Sequence, residues 1–364
     1  MKMDHTSFIA DTLGRSPALV LKDGSLNYVS GQVWEANGHP TILIRIHYLG
    51  ICRSDAKEVT MERKGLSHFG HEIMGEVVFA PHGLGIAIGD FVGIDPNIPV
   101  QRSSGYCGYF AMSADHIALR KAVYKLPLSR PDPDFIFVEP LACSHHAVTR
   151  ASEVLGELQG KDVLVIGAGV AGILIALSCV ESGSRTPKIA NRGHERARWA
   201  RDIGLGAYFD IVSIEECAGK FDAVFIATSF VFDDLIDLAG DCVTPNGALV
   251  LYGGTHPGQC YAQSVDIDAL RRTEGVRPHH FANGISAFLV GTYGIECQNY
   301  RASIDLVHRS SHAKQIARKL TQEILPPSLA AQHLTLMSYT PLPGKAVIDM
   351  TPWLDATRIE GVMV

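Results

Sequence analysis

The run Val163-Leu164-Val165-Ile166-Gly167-Ala168-Gly169-Val170-Ala171-Gly172 constrains this chain more than any other stretch. Four consecutive aliphatic residues with no polar alternation read as a strand buried on both faces, as in a parallel sheet. Gly167-x-Gly169-x-x-Gly172 then closes that strand and opens a helical stretch, Ile173 to Glu181. In that setting the glycines have separate tasks. The first permits a tight turn, the second lets the backbone approach a pyrophosphate, and the third lets the helix lie against the strand. The helix N-terminus offers unbonded N–H groups and the positive end of its dipole to the anion. A glycine turn in some unrelated α/β protein is the alternative. Against it stands the alternation that follows: strand-like 187–190, helix-like 195–202, strand-like 221–227, helix-like 233–238 and strand-like 248–252. Such alternation builds a doubly wound parallel sheet. Gly167, Gly169, Val170 and Gly172 are therefore candidate dinucleotide-binding residues.

The N-terminal part has another character. Short strand-like pieces at 18–21, 41–48, 73–79 and 90–94 are punctuated by turns such as Asp23-Gly24 and Asn37-Gly38, which suits an irregular β-rich domain. The change comes near residue 150. After about residue 286 a mixed tail, with a helix near Tyr300 to His308, is expected to return to the first domain. Two domains suit a chain of 364 residues. The expected division is 1–149 completed by 287–364, with 150–286 as the dinucleotide domain.

Thirty-two Lys and Arg against 38 Asp and Glu, with no long basic run, exclude an advertised nucleic-acid surface. No apolar run reaches the ~18 residues of a membrane span, and the N-terminus lacks the apolar core of a secretory signal. The eight cysteines are scattered and form no C-x-x-C pair, so a disulfide framework is not expected. A reducing, cytoplasmic setting follows as the expectation.

The second strand of the dinucleotide domain runs into Ala190-Asn191-Arg192-Gly193-His194, and the first acid is Glu195 in the next helix. A ribose-binding carboxylate would normally stand at that strand's end. Asn191 as donor and Arg192 as a bidentate cation favour a 2′-phosphate, hence NADP(H) over NAD(H). The alternative is that Arg192 is a solvated residue at a helix start.

Upstream lies a set of metal-ligating residue types. Gly50-Ile51-Cys52-Arg53-Ser54-Asp55 is followed, nineteen residues after Cys52, by His71 in Gly70-His71-Glu72. Val138-Glu139-Pro140-Leu141-Ala142 precedes the dinucleotide domain. Thiolate, imidazole and carboxylate all suit zinc, and a catalytic site keeps one position open. Each alone is unremarkable, since a lone Cys is usually packing and a lone His usually structural.

Taken in order, GICRSD, GHE, EPLA and VLVIGAGVAG resemble the medium-chain dehydrogenase/reductase family, in its zinc-dependent alcohol, polyol and sugar dehydrogenase branch. Gly247-Ala248-Leu249-Val250 with Gly253, Gly291-Thr292-Tyr293-Gly294 and Gly344-Lys345-Ala346-Val347 fit too, so that the resemblance runs from about residue 18 to 350. It implies a GroES-like catalytic domain plus a Rossmann cofactor domain, and hydride transfer between a secondary alcohol and NAD(P). It implies Cys52 and His71 as zinc ligands, Glu72 as a ligand or an exchanging one, and Glu139 as third ligand, with Cys143 as its rival. Arg53 would meet the cofactor pyrophosphate, Ser54 would pass the substrate proton, and Asp55 would support the ligands. Partners would be a small alcohol or carbonyl and further copies of the chain, as dimer or tetramer.

Two departures from the family stand out. Between Pro96 and Cys107, where the family carries four closely spaced cysteines, only Cys107 remains, so one catalytic zinc and no structural zinc are expected. Ala56, Lys57 and Glu58 occupy the positions where some members place a relay histidine. A zinc-free NADPH-dependent enone or quinone reductase, and a non-catalytic nucleotide-binding protein, are the competing readings. Cys52, His71, Glu72 and Glu139 argue against the first of these, and the intact glycine loop against the second.

Overall fold

The computed structural model describes residues 5–35, 37–62, 69–215, 219–340 and 342–356, and Cys217 lies outside them. The chain divides into two compact units, Met1–Glu139 with Ile304–Val364, and Pro140–Ser303.

The first unit is built on a mainly antiparallel sheet. Its strands run in the order Thr321–Leu325, Lys345–Asp349, Thr41–Gly50, Glu72–Phe79, Phe91–Ile94 and Val123–Lys125, with Tyr109–Ser113 also paired to Thr41–Gly50. Thr41–Gly50 is rich in Ile and Leu and is mostly buried, because three strands use it. Ile42, Ile44, Ile46 and Leu49 pack there with Ile73, Val77, Val92, Phe110 and Ile348. The register sets Gly50 opposite both Glu72 and Val347, so that one end of the sheet gathers residues distant in sequence.

The second unit is a seven-stranded sheet in the order Asp210–Ser213, Lys188–Asn191, Val163–Ile166, Phe221–Ile226, Val243–Leu251, Ser286–Gly291 and Val276–His280. All pairs are parallel except the last. The chain direction reverses its march between Val163–Ile166 and Phe221–Ile226, which makes the ends of these two strands the topological switch point. Leu164, Ile166, Val224, Ile226, Leu249 and Leu251 form the core beneath. The helix Val170–Glu181 is apolar almost all round because its central residues, from Gly172 to Cys179, are all buried.

This sheet continues beyond residue 286, where the sequence reads as a returning tail. Ser286–Gly291 pairs in parallel with Val243–Leu251, and Val276–His280 returns beside it. The exposed Val276–His280 contains Pro278 and two histidines and carries no alternation, so it gives no strand signal of its own. Among the described residues no helix is long and apolar enough to cross a membrane.

Candidate metal centre and cofactor loop

Cys52 caps the short helix Arg53–Val59. Its Sγ accepts from the Ser54 amide at 3.5 Å and the Ser54 hydroxyl at 3.0 Å, while Asp55 Oδ2 accepts from the Cys52 amide at 3.3 Å. This is a capping box with a thiol in the place of Ser or Thr. It turns the sulfur and the Ser54 hydroxyl to one side. His71 stands just before the strand Glu72–Phe79, with its Nδ1 3.2 Å from Asp55 Oδ1 and its Nε2 3.5 Å from Ser54 Oγ.

Asp55 is fully buried and also accepts from the Gly70 amide at 3.1 Å and the Tyr106 hydroxyl at 2.9 Å. Burial pushes its carboxyl up, but the charge of His71 and these hydrogen bonds hold it below its ordinary value. Burial likewise opposes a charged His71, yet Asp55 and Cys52 raise that imidazole well above its ordinary range. Tyr106 reaches Asp55 because two glycines touch. A Cβ on Gly105 would lie 1.8 Å from the Gly70 carbonyl oxygen, and Gly70 adopts φ +70.

Ligand atoms of Cys52, His71 and Glu72 all lie within 4.8 Å of one another. The Glu72 carboxylate is also gripped from behind. Lys345 Nζ donates to its two oxygens at 2.5 and 2.6 Å and reaches the Ile51 carbonyl at 3.4 Å, all in the interior. Desolvation opposes the Lys345 charge, but Glu72 above all raises its pKa. Gly50 makes room for this pair, since a Cβ there would lie 2.2 Å from Glu72 Oε2.

Glu139, buried in the first turn of the helix Val138–Leu155, is not in the three-residue cluster but feels its charges. Burial first, then Glu72 and Asp95, push its carboxyl up to about 7 against the pull of His71 and Lys345. Cys143 falls in the second unit. Arg53 donates to the Met337 carbonyl, and its Nε is buried with no hydrogen-bond partner among the described residues. Cys107 is a buried thiol bonded to the carbonyls of Ser104 and Tyr109, and burial pushes its pKa up.

In the second unit Gly167 sits at the switch point with φ +127, and a Cβ there would meet the Ala227 carbonyl at 2.7 Å. Asn191 closes the loop from the side: its Oδ1 accepts from the Ala168 amide at 3.1 Å and its Nδ2 donates to the Gly193 carbonyl at 2.8 Å. Arg192 is exposed and pairs with Asp234 Oδ2 at 2.9 Å. That carboxylate arrives from the start of the helix Asp233–Cys242. Arg196 Nη1 lies 3.5 Å from where a Cβ of Gly169 would be, which adds a cation beside the loop.

Tyr106, Lys345, Asp234 and Arg196 are absent from the set read in the sequence. Lys345 lies 273 residues from Glu72, and no local pattern marks it as its partner. For Tyr106 the only signal was the Gly105 before it.

Comparison with known proteins places these units. Residues 38–124 match the family described as alcohol dehydrogenase GroES-like domain, and residues 149–231 match shikimate/quinate 5-dehydrogenase. The D-altritol 5-dehydrogenase of Agrobacterium fabrum is 26% identical over 245 residues, covering 59% of this chain and 69% of that protein. The galactitol 1-phosphate 5-dehydrogenase of Escherichia coli is 23% identical over 270 residues, covering 64% and 74%. The chain is thus similar to zinc-type polyol dehydrogenases of the medium-chain dehydrogenase/reductase family. Its two units follow the two-domain fold of solved zinc-binding dehydrogenases. A protein from Sinorhizobium meliloti described as a putative zinc-binding dehydrogenase and solved with NADP superposes with a TM-score of 0.69 at 19% identity. The superposition covers 92% of this chain and 99% of that one. The match to the sorbitol dehydrogenase of Halalkalibacterium halodurans spans 57% of that relative's length, at 27% identity over 210 residues and 49% of this chain.

Proposed function

We propose that this chain is a zinc-dependent oxidoreductase that moves a hydride between a secondary alcohol of the polyol, sugar or cyclitol kind and NAD(P). The observation that carries the reading is the convergence of Cys52, His71 and Glu72, with Asp55 behind the far nitrogen of His71. Thiolate, imidazole and carboxylate are the donor set of a catalytic zinc, and a carboxylate on the second ring nitrogen is the usual way of orienting a ligating histidine. The residues present therefore fit the metal. We assign catalysis to the first unit and dinucleotide binding to the second, and one zinc to each chain.

Zinc bound here would act as a Lewis acid on the substrate oxygen. The protein's own groups do the rest. Asp55 and Tyr106 fix the ring of His71. Lys345 holds the Glu72 carboxylate beside Cys52 and His71, where it would be an exchanging ligand. Glu139, rather than Cys143, would complete the ligand set, since it stands in the Glu139-Pro140-Leu141-Ala142 run and supplies a carboxylate. Ser54, hydrogen-bonded to the Cys52 sulfur, is placed to accept the hydroxyl proton of the substrate. Gly167, Gly169, Val170 and Gly172 receive the pyrophosphate. Asn191 and Arg192 favour NADP(H), although Asp234 offsets part of the charge of Arg192. The free cysteines among the described residues suit a cytoplasmic enzyme, and we expect a homo-oligomer.

The test is elemental analysis followed by a panel of neutral and phosphorylated polyols with NADP⁺ and NAD⁺ on the same protein. One zinc per chain and alcohol-dependent reduction of the nicotinamide are expected. A protein that holds no zinc after supplementation, yet reduces an enone with NADPH, would transfer the assignment to the zinc-free reductases.

A further inference from the structure

The second unit carries a guanidinium that the reading above leaves without a task. Arg271 stands near the end of the helix Ile267–Arg272. The chain then turns into Val276–His280, whose first residue lies opposite Val290, and the Gly291 amide bonds the Gly275 carbonyl at 2.8 Å. Arg271 is thereby delivered to the C-terminal end of the strand Ser286–Gly291. Its Cζ lies 5.1 Å from the centroid of the Tyr293 ring. Arg272 lies 5.8 Å from the same ring, but its Nε donates to Asp268 at 2.8 Å. The Nε of Arg271 is buried and has no hydrogen-bond partner among the described residues. Burial lowers its pKa, with the nearby phenols of Tyr293 and Tyr252 opposing that. A buried donor with no acceptor is costly, so such a group is kept where a ligand supplies the acceptor.

The turn beside it is rigidly held. The Tyr293 amide donates to Glu274 Oε1 at 3.0 Å, and the same oxygen meets His146 Nε2. His146 Nδ1 lies 3.2 Å from Asn299 Oδ1, and Asn299 Nδ2 donates to Thr149 Oγ1 at 3.0 Å. Glu274 itself adopts φ 54, a conformation that a non-glycine residue keeps only when its surroundings impose it.

In a doubly wound sheet the dinucleotide lies across the C-terminal ends of the strands, one mononucleotide over each half. Gly167 and Arg192 end strands of the adenosine half, whereas Tyr252 and Tyr293 follow strands of the other half. We propose that Arg271, stacked on Tyr293, donates hydrogen bonds to acceptor oxygens on the nicotinamide-riboside half of the bound dinucleotide. This rests on the reading of the chain as an NAD(P) oxidoreductase. Guanidinium offers donors only, so the acceptor is the carboxamide oxygen or a ribose oxygen.

Direct titration of the full chain with NADPH, NADH, ADP-ribose and ADP tests this on wild type, Arg271→Met and Arg271→Lys. Arg271→Met should weaken NADPH and NADH by on the order of 10-fold or more and leave ADP unchanged, with Arg271→Lys in between. Unchanged ADP binding also shows that the variant is folded. ADP-ribose weakened alongside the full dinucleotides, with ADP unchanged, places the acceptor on the ribose, and ADP-ribose unaffected places it on the carboxamide. Either result supports the assignment. Equal NADPH and NADH affinity in wild type and Arg271→Met overturns it, as does an equal loss for ADP. Should Arg271→Met fail to fold, Arg271→Lys is judged by the same criteria. A wild type that binds none of the four probes overturns the cofactor reading itself, and this assignment with it.

Discussion

Lys345 and Glu72 meet in the interior, and Lys345 keeps its charge against desolvation chiefly through Glu72. Removing one partner of such a pair leaves an uncompensated ion, at a cost of about 3–5 kcal/mol. Lys345→Met is therefore expected to lower stability by about that amount, whereas the double variant Lys345→Met with Glu72→Gln should lose much less than the two singles combined. Denaturant unfolding of the four proteins measures the coupling, and additive losses would show that the pair is not energetically linked. Gly50 makes the same point by shape: Gly50→Ala puts a methyl group on the Glu72 carboxylate and is expected to reduce zinc retention, which metal analysis after dialysis would report. Glu139 calls for the reverse kind of test. If it is the third ligand, Glu139→Ala loses zinc or activity far more than Cys143→Ala does, and the opposite ranking would move the assignment to the sulfur. The residue types of this centre were legible because Cys52, His71 and Glu72 lie in short recognisable runs. The groups that hold them were not, because Lys345 and Tyr106 arrive through strand register and through a contact of two glycines.

Among the elements, the loop after Lys188–Asn191 is where sequence and structure differ most in consequence. The sequence shows no acid until Glu195, and this remains true along the chain, but the helix Asp233–Cys242 brings Asp234 to Arg192 from the neighbouring strand connection. Both side chains are more than half exposed, so the pair is worth little to stability and acts on cofactor choice instead. Asp234→Asn is expected to free Arg192 and shift the ratio of kcat/KM towards NADP(H) by several-fold. Arg192→Ala should shift it the other way, with little change for NAD(H). If Asp234→Asn leaves the ratio unchanged, Arg192 does not read the 2′-phosphate. The strands and helices around this loop follow the hydrophobic period closely, and Val163–Ile166 coincides with its expected span. Ser286–Gly291 was not separable from the tail, since a six-residue strand has too little pattern to set it apart.

For the molecule as a whole, the two units carry buried titrating groups of opposite sign. In the second unit burial alone pushes His145 down to about 4, and its Nε2 meets no hydrogen-bond partner among the described residues. The unfolded chain takes up that proton below about 6.5, whereas the fold does not until about 4. Folding stability from this group is therefore complete above pH 6.5 and is lost as pH falls through that window. In the first unit Glu139 behaves in the opposite way. Its carboxyl, pushed up to about 7 chiefly by burial, is protonated in the metal-free fold while the unfolded chain is ionised above about 4.5. It favours the fold at low pH and loses that advantage as pH rises towards 7. The acid sensitivity contributed by this pair thus belongs to the second unit alone. Calorimetry of the metal-free chain between pH 7 and 4 is expected to show His145→Leu retaining stability that the wild type loses, by on the order of 2 kcal/mol at the acid end. Glu139→Gln should mimic the protonated carboxyl and remove the opposing gain. Parallel acid profiles for wild type and His145→Leu would mean that the ring of His145 is hydrated in solution and titrates normally.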